Sequence, residues 1–497
     1  MSIDTPNPCT YAIFGATGNL SRVKLMPALY HLEQANRLAP DTRILAMGRR
    51  DWSRKHLLQQ VSQWVQDVVG KDFDTQVFDR FAARLDYFRG DLNDADMYRR
   101  LSDFLKQGAR YPENIAWYMA IKPTAFGPVI KHLHATGLLD ETHGWRRVVI
   151  EKPFGYDLES ARALQRSIGK YLREDQIYRI DHYLGKGTVQ NVLVFRFANT
   201  VMEPLWNRNY IDHIQITHSE TLGLGSRAGF YEGVGAMRDM IQSHLLQLLT
   251  LVTMEPPPSM EAESLRDEKV KVLKSMRPIP PNAVHAHAFR AQYSAGVIDG
   301  EKVKGYLEED GVAPDSITET YAALKVYIDN WRWRGVPIYL RTGKRMAKKQ
   351  SLVSICFRHP PQQFFRDTHV ERLKQNWVLL GISPDCLRIE MTVKEPGLEM
   401  RTRQTSLDAS LRQNDEILTD AYEELLLDVI DGDRSLFLRY DEVEYAWRLV
   451  DPVLNVWATE RDYIQTYPAG TWGPEESRRL FEKEEQHWRH SLDPLED

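Results

Sequence analysis

The chain has 497 residues, 42% of them hydrophobic and 27% charged, with 64 Lys+Arg against 69 Asp+Glu and a formal net charge of −5. This length exceeds one hydrophobic core and predicts at least two domains, and the balance excludes wholesale disorder. A charge so close to neutral argues against a dedicated nucleic-acid binder, while leaving room for local basic pockets.

Residues 11–14, 44–47, 115–120, 148–150 and 177–180 are short, near-continuous apolar runs. Such runs suit strands of a parallel sheet buried on both faces. Between the last two runs, Leu158, Ala161, Leu164, Ile168 and Tyr171 recur at helical spacing and predict a helix laying one stripe on that sheet. Strand–helix alternation of this kind predicts a doubly wound α/β domain.

Directly after the first strand comes Gly15-Ala16-Thr17-Gly18-Asn19-Leu20. Glycines there let the backbone turn tightly and approach a pyrophosphate, and the following helix offers free N–H groups. A plain strand-to-helix turn would give the same G-x-x-G. The second strand ends in Gly48-Arg49-Arg50-Asp51. Adjacent arginines favour the 2′-phosphate of NADP, whereas an acid at this place serves the ribose of NAD. Two solvated surface arginines are the plain alternative.

Behind the last apolar run, Arg179-Ile180-Asp181-His182-Tyr183-Leu184-Gly185-Lys186 gathers an acid, an imidazole, a phenol and an ammonium. Strand ends are where open α/β sheets bind ligands, and His182, Tyr183 and Lys186 can together donate several hydrogen bonds to a phosphate. Asp181 cannot help an anion and needs another task.

After about residue 190 the pattern changes. Residues 211–217, 320–328 and 353–357 alternate more clearly and suggest a large antiparallel sheet with helices on one side. Arg238-Asp239-Met240-Ile241-Gln242-Ser243-His244-Leu245-Leu246 leads into an apolar helix. Positions five apart on a regular helix differ by about 140°, so Asp239 and His244 would not share a face. Either they grip different parts of one ligand, or His244 is a core histidine satisfied by a carbonyl. Prolines at 256–258 and at 278, 280 and 281 punctuate loops around a charged segment, and the polar residues 482–497 read as loosely held.

Cys9, Cys356 and Cys386 are too scattered for a disulfide framework and form no CxxC motif, so a reducing compartment is expected. The longest apolar stretch, 245–252, is too short to span a bilayer. The opening residues show no basic segment followed by an apolar one, so no leader is expected. His285-x-His287 lacks an evident third ligand and no His-Glu-x-x-His occurs, so no metal is expected. A cytoplasmic enzyme without nucleic-acid or membrane partners is the resulting expectation.

Along nearly its full length the sequence resembles the glucose-6-phosphate dehydrogenase family. The signatures are the turn at 15–20, Glu151-Lys152-Pro153-Phe154-Gly155, the 179–186 segment, Arg290-Ala291-Gln292-Tyr293 and Ser316-Ile317-Thr318-Glu319-Thr320. To these are added Ile328-Asp329-Asn330-Trp331-Arg332-Trp333, Leu340-Arg341-Thr342-Gly343-Lys344-Arg345, Asp441-Glu442-Val443-Glu444 and Ala469-Gly470-Thr471-Trp472-Gly473-Pro474.

The resemblance implies a Rossmann-like NADP-binding domain over residues 1–180 and a larger α+β domain over 181–497 for substrate binding, catalysis and dimerisation, its sheet mostly antiparallel. It implies hydride transfer from C1 of glucose 6-phosphate to NADP, giving 6-phosphogluconolactone for the pentose phosphate pathway, by a homodimer or homotetramer. His244 matches the general base and Asp181 the acid that orients and stabilises it, which gives Asp181 its task. His182, Tyr183 and Lys186 match phosphate contacts, and Lys152 bridges substrate and cofactor. Glu220 and Asp239 match sugar-hydroxyl contacts, and Lys344 and Lys349 substrate-contacting cations. Gly15, Thr17, Gly18, Leu20 and Arg49 match cofactor positions.

Three departures stand out: Asn19 where Asp is common, Lys122 in place of the first proline of a Pro-Pro pair, and Ser243 where Asn is usual. Alternatives are the same fold with another sugar phosphate or with NAD, and a catalytically silent NADPH-sensing protein.

Overall fold

The apolar runs near the N-terminus become neighbouring strands because each needs cover on both faces. The computed structural model describes residues 7–107, 110–362, 365, 373–410, 420–490 and 492. In it β1 (Thr10–Phe14), β2 (Arg43–Gly48), β3 (Leu85–Arg89), β4 (Ile115–Met119), β5 (Arg146–Glu151) and β6 (Ile177–Ile180) lie in the order β3-β2-β1-β4-β5-β6. All these pairings are parallel. This is the doubly wound dinucleotide-binding order, which reverses between β1 and β4. The sequence reading does not contain β3. Its residues Leu85-Asp86-Tyr87-Phe88-Arg89 carry two charges because it is the sheet's edge.

The helix predicted from the 158–171 stripe is Leu158–Ile168. Asp157 starts it: its Oδ1 accepts from Ser160 N–H at 2.7 Å, and Ser160 Oγ accepts from Asp157 N–H at 3.1 Å.

The second sheet begins with β7 (Ile211–Ser219) and β8 (Ala288–Ser294); β9 (Gly296–Ile298) and β10 (Glu301–Val303) form a separate small hairpin. Then follow β11 (Tyr321–Val326), β12 (Ile338–Gly343), β13 (Gln350–Phe357), β14 (Trp377–Ser383), β15 (Asp385–Lys394) and β16 (Thr402–Ala409). The two-residue β17 (Phe437–Leu438) returns to the first sheet, antiparallel to β6. β18 (Gln465–Pro468) completes the second, whose order is β16-β15-β14-β13-β7-β12-β11-β8-β18. It is antiparallel except for the pairs β7–β12 and β8–β18. In the parallel β7–β12 pair the two strands end side by side.

By contacts the chain divides into two compact units: Met1–Lys186, Pro258–Arg266 and Leu418–Glu444; and Gly187–Pro257, Asp267–Ile417 and Tyr445–Asp497. The sequence reading does not place any late segment with the nucleotide sheet. The helix Ala421–Asp431 belongs there because its apolar face joins the core of Tyr11, Leu29 and Tyr178. Tyr11 Oη donates to Leu426 O at 3.0 Å, and Lys24 and His31 hold Asp420 and Glu423 at the helix start, each at 2.8 Å.

The tail corrects an expectation. Residues 486–490 are packed, not loose, whereas 482–485 are exposed, and 491 and 493–497 lie outside the described residues. Trp488 stacks edge-on against Phe481 and Tyr339. Arg489, 1% exposed, forms a two-point pair with Glu390 at 2.7 and 3.1 Å. A buried, two-point guanidinium–carboxylate pair is geometrically demanding, and polar composition alone does not reveal it. No helix of the described residues is long and apolar enough to cross a membrane.

Candidate active site

In the first unit the chain leaves β1 at Gly15 with φ +78°. A Cβ there would lie 2.2 Å from Ala120 O at the end of β4, so only glycine fits the switch point. Gly15 and Ala16 N–H donate to Met47 O at 3.1 and 3.0 Å, and Gly18 N–H donates to Gly15 O at 2.9 Å. The turn therefore lies against the end of β2. A Cβ on Gly48 would approach Thr17 Cγ2 to 3.1 Å. Leu20 packs on the core beneath. This cradle fits the pyrophosphate of a dinucleotide.

Arg49 follows at once, exposed, and makes no hydrogen bond or ion pair among the described residues. Its neighbours are engaged: the Arg50 guanidinium sits 5.1 Å over the Trp52 ring, and Asp51 pairs with Arg89 at 2.8 Å.

At the ends of β5 and β6 lie Glu151-Lys152 and Asp181 to Lys186. The Lys152–Pro153 bond is cis. Asp181 is fully buried, and its Oδ1 accepts from Tyr183 N–H at 3.0 Å, while Leu184 N–H donates to Asp181 O at 3.0 Å. The segment is thus a tight turn built on the acid. His182 stacks on Tyr422, centroids 6.2 Å apart at 14°, and Lys186 Nζ lies 3.8 Å over the Tyr183 ring. A Cβ on Gly185 would meet Ala421 O at 2.8 Å, so the turn seats on the start of the 421–431 helix. Tyr183 itself is buried.

Sequence reasoning missed the support below this turn. The Glu151 carboxylate accepts from Tyr118 Oη at 2.5 Å and from Tyr422 Oη at 3.2 Å. Burial pushes the Glu151 carboxyl up to about 7, with the Asp181 charge adding to the shift and the two phenols and Lys152 opposing it. A carboxyl raised above its unfolded value contributes stability that is whole below the unfolded pKa and is lost as pH rises through the folded one. The thermal midpoint should therefore decline between about pH 4.5 and 7 in part through this group. Glu151→Gln keeps an acceptor for both phenols and should flatten that decline; scanning calorimetry from pH 5 to 8 checks it. Parallel pH curves for variant and wild type would remove Glu151 from the account.

In the second unit the parallel pair β7–β12 ends in register at Ser219 and Gly343, and antiparallel β13 starts opposite Ser219. Glu220 and Lys344 therefore emerge side by side. Lys344 Nζ is hydrogen bonded to Glu220 Oε2 and lies 3.5 Å from Asp239 Oδ2 and 5.6 Å over the Tyr231 ring. Lys349, just before β13, is exposed, and no hydrogen bond or ion pair among the described residues joins it to this cluster.

Asp239 and His244 lie on Met237–Leu245, which is π-helical and continues as the α-helix Leu246–Thr253. This corrects the expected 140° separation. The i→i+5 repeat of a π-helix turns residues five apart toward the same side, and such turns concentrate at functional sites. Ser243, one of the departures, donates from Oγ to Asp239 O at 3.1 Å and so bridges the widened turn. His244 is 2% exposed. Beyond it, Trp206 and Trp333 donate from Nε1 to Val252 O and Thr253 O, each at 2.7 Å, anchoring the helix end.

His285 and His287 are engaged elsewhere, with Glu460 at 2.7 Å and Lys325 O at 3.0 Å. Asp212, His213 and Cys356 present an oxygen, a nitrogen and a sulfur within 4.8 Å of one another. His213 there bonds Asp212 at 2.9 Å and Gln215 at 3.0 Å, and Lys483 bonds Asp212 at 2.5 Å, which ties the tail to β7.

A doubly wound nucleotide sheet with a glycine cradle, in a chain whose antiparallel unit carries a carboxylate–lysine cluster, has the parts of a dinucleotide-dependent dehydrogenase. Comparison makes this particular. The family models "Glucose-6-phosphate dehydrogenase, NAD binding domain" and "Glucose-6-phosphate dehydrogenase, C-terminal domain" match residues 12–191 and 193–489. Glucose-6-phosphate 1-dehydrogenase of Dickeya dadantii (strain 3937) is 42% identical over 489 residues, 97% of this chain and 98% of that protein. The Bacillus subtilis (strain 168) protein of that name is 41% identical over 96% of this chain and 97% of its own.

Among solved structures, glucose-6-phosphate 1-dehydrogenase from Mycobacterium avium superposes with a TM-score of 0.85 at 37% identity, covering 99% of this chain and 100% of that one. A glucose-6-phosphate dehydrogenase in complex with its substrate glucose-6-phosphate gives 0.87 at 34%, covering 97% and 98%. The chain belongs to the glucose-6-phosphate dehydrogenase family.

Proposed function

We propose that the chain oxidises D-glucose 6-phosphate to 6-phospho-D-glucono-1,5-lactone with NADP⁺, the first step of the oxidative pentose phosphate pathway. The observation that carries this reading is the Glu220–Lys344–Asp239 cluster, whose Asp239 lies on the π-helical turn that bears His244, in a chain of this family. Bound NADP⁺ supplies the hydride acceptor.

The chain's own residues do the rest. His244 takes the proton from O1 as the hydride leaves C1, and Asp181 stabilises the imidazolium. His182, Tyr183 and Lys186 bind the phosphate, and Lys152 serves both ligands. Glu220 and Asp239 accept from sugar hydroxyls, with Lys344 and Lys349 as cationic partners. Gly15, Thr17, Gly18 and Leu20 shape the cradle, and Arg49 pairs with the 2′-phosphate. Residues 1–180 serve the nucleotide and 181–497 serve substrate, catalysis and assembly into a homodimer or homotetramer. All three cysteines are free thiols, which supports a cytoplasmic location.

Absorbance of reduced nicotinamide, with glucose 6-phosphate and NADP⁺ or NAD⁺ and no added metal, tests the reading; no turnover with either would overturn it. Lys186→Ala should raise KM for glucose 6-phosphate by roughly 10- to 100-fold, the size of a lost hydrogen bond to a charged group. An unchanged KM would take Lys186 out of the phosphate site.

A further inference from the structure

Glu319 belongs to the Ser316–Thr320 signature, which the roles above leave unused. Its side chain is 5% exposed. Its Oε1 accepts from Met237 N–H at 3.1 Å, and its own carbonyl accepts from Ala236 N–H at 2.9 Å. These are the first amides of the π-helical turn that carries Asp239 and His244. A helix start leaves such N–H groups without intrahelical partners, and a carboxylate there also meets the positive end of the helix dipole.

The fit is close. Gly235, at φ +72°, has no room for a side chain: a Cβ would lie 2.3 Å from Glu319 Oε1. Burial raises the carboxyl above its usual range, while the Met237 N–H and the charges of Arg238 and Arg290 hold it down.

The neighbouring chain acts on the other half of the cluster. Thr320 O accepts from Lys344 N–H at 3.0 Å, and Lys344 O accepts from Tyr467 Oη at 2.6 Å. The segment is itself pinned: Gln292 Nε2 donates to Ser316 O and Thr318 O at 2.8 and 2.9 Å, and Ser316 Oγ donates to Glu232 at 2.7 Å. One rigid strand entry thus touches both the turn bearing Asp239 and His244 and the backbone of Lys344.

We propose that Glu319 is a positioning residue, fixing the start of the π-helical turn so that Asp239 and His244 stay aligned with Lys344. The proposal rests on the function given above, and its test separates the two. Wild-type turnover decides the function, whereas variants and amide exchange decide the role of Glu319.

The full chain is compared with Glu319→Ala, Glu319→Asp and Glu319→Gln, by kinetics and by hydrogen-exchange mass spectrometry. Glu319→Ala should lower kcat/KM for glucose 6-phosphate about tenfold, the value of one such hydrogen bond. It should also speed exchange in residues 236–240 selectively and leave KM for NADP⁺ within about twofold. Glu319→Asp, one methylene short of Met237, should behave alike and guards against misfolding of the alanine variant. Glu319→Gln keeps the acceptor and should recover to within about threefold of wild type. Wild-type kcat/KM in the Asp variant, a Gln variant as impaired as the Asp variant, or exchange raised evenly along the chain would each overturn the proposal.

Discussion

Replacing His244 by alanine or asparagine is expected to lower kcat by about 10²- to 10⁴-fold, the range that a positioned general base supplies. Hydride can leave C1 only as the proton leaves O1, because otherwise a cationic sugar must form. A general base has to be held, and the structure holds His244, proposed for that role, tightly. It is buried on a turn whose first amides are capped and whose continuing helix is anchored at its far end by two tryptophan indoles. The residues assigned to sugar hydroxyls and phosphate remain in place in the variant. KM for glucose 6-phosphate should therefore stay within about threefold of wild type. Full activity in either variant would show that another group takes the proton.

The role proposed for Asp181 has a sharper test. Groups that act as a unit are strongly non-additive. Asp181→Asn should be costly in the wild type and nearly silent when His244 is already alanine. Losses that multiply would mean that Asp181 acts by itself, for example only by shaping the turn through Tyr183 N–H.

What the sequence makes legible follows from periodicity and from distinctive residue types. The parallel strands β1, β2, β4, β5 and β6 are apolar runs, and the glycine turn and Arg49 follow them by simple adjacency. β3 is hidden because an edge strand is free to carry charge. The helix 421–431 is visible as a helix, but nothing in a local pattern says which sheet it covers. The relation between Asp239 and His244 is lost for a different reason. A 100° period is assumed when faces are read, and a π-helical turn breaks that assumption without any marker such as Pro or Gly inside Met237–Leu245. Glu319 and Glu151 are buried acids whose partners are backbone amides and phenols distant in sequence. Only register places them.

Replacing Arg49 by alanine is expected to raise KM for NADP⁺ by about 5- to 150-fold, equivalent to roughly 1–3 kcal/mol, and to leave NAD⁺ nearly unaffected. The two cofactors differ only in the 2′-phosphate, so selective loss identifies a group that reads it. The neighbouring ends of β2 and β3 supply four candidates, Arg49, Arg50 and Asp51 from the first and Arg89 from the second. Arg50 lies over Trp52, and Asp51 and Arg89 satisfy each other. An exposed pair of that kind is worth at most about 1 kcal/mol, but it cancels the one acid that would otherwise take a ribose hydroxyl or repel a phosphate. Arg49 alone of the four is exposed, cationic and unengaged among the described residues, one residue beyond the glycine that approaches Thr17 of the cradle. Arg49→Lys keeps the charge but loses the planar fork, and should fall between wild type and alanine. Asp51→Ala frees Arg89 and should favour NADP⁺ further. Equal losses with both cofactors in Arg49→Ala would mean that the arginine braces the turn and does not read the phosphate.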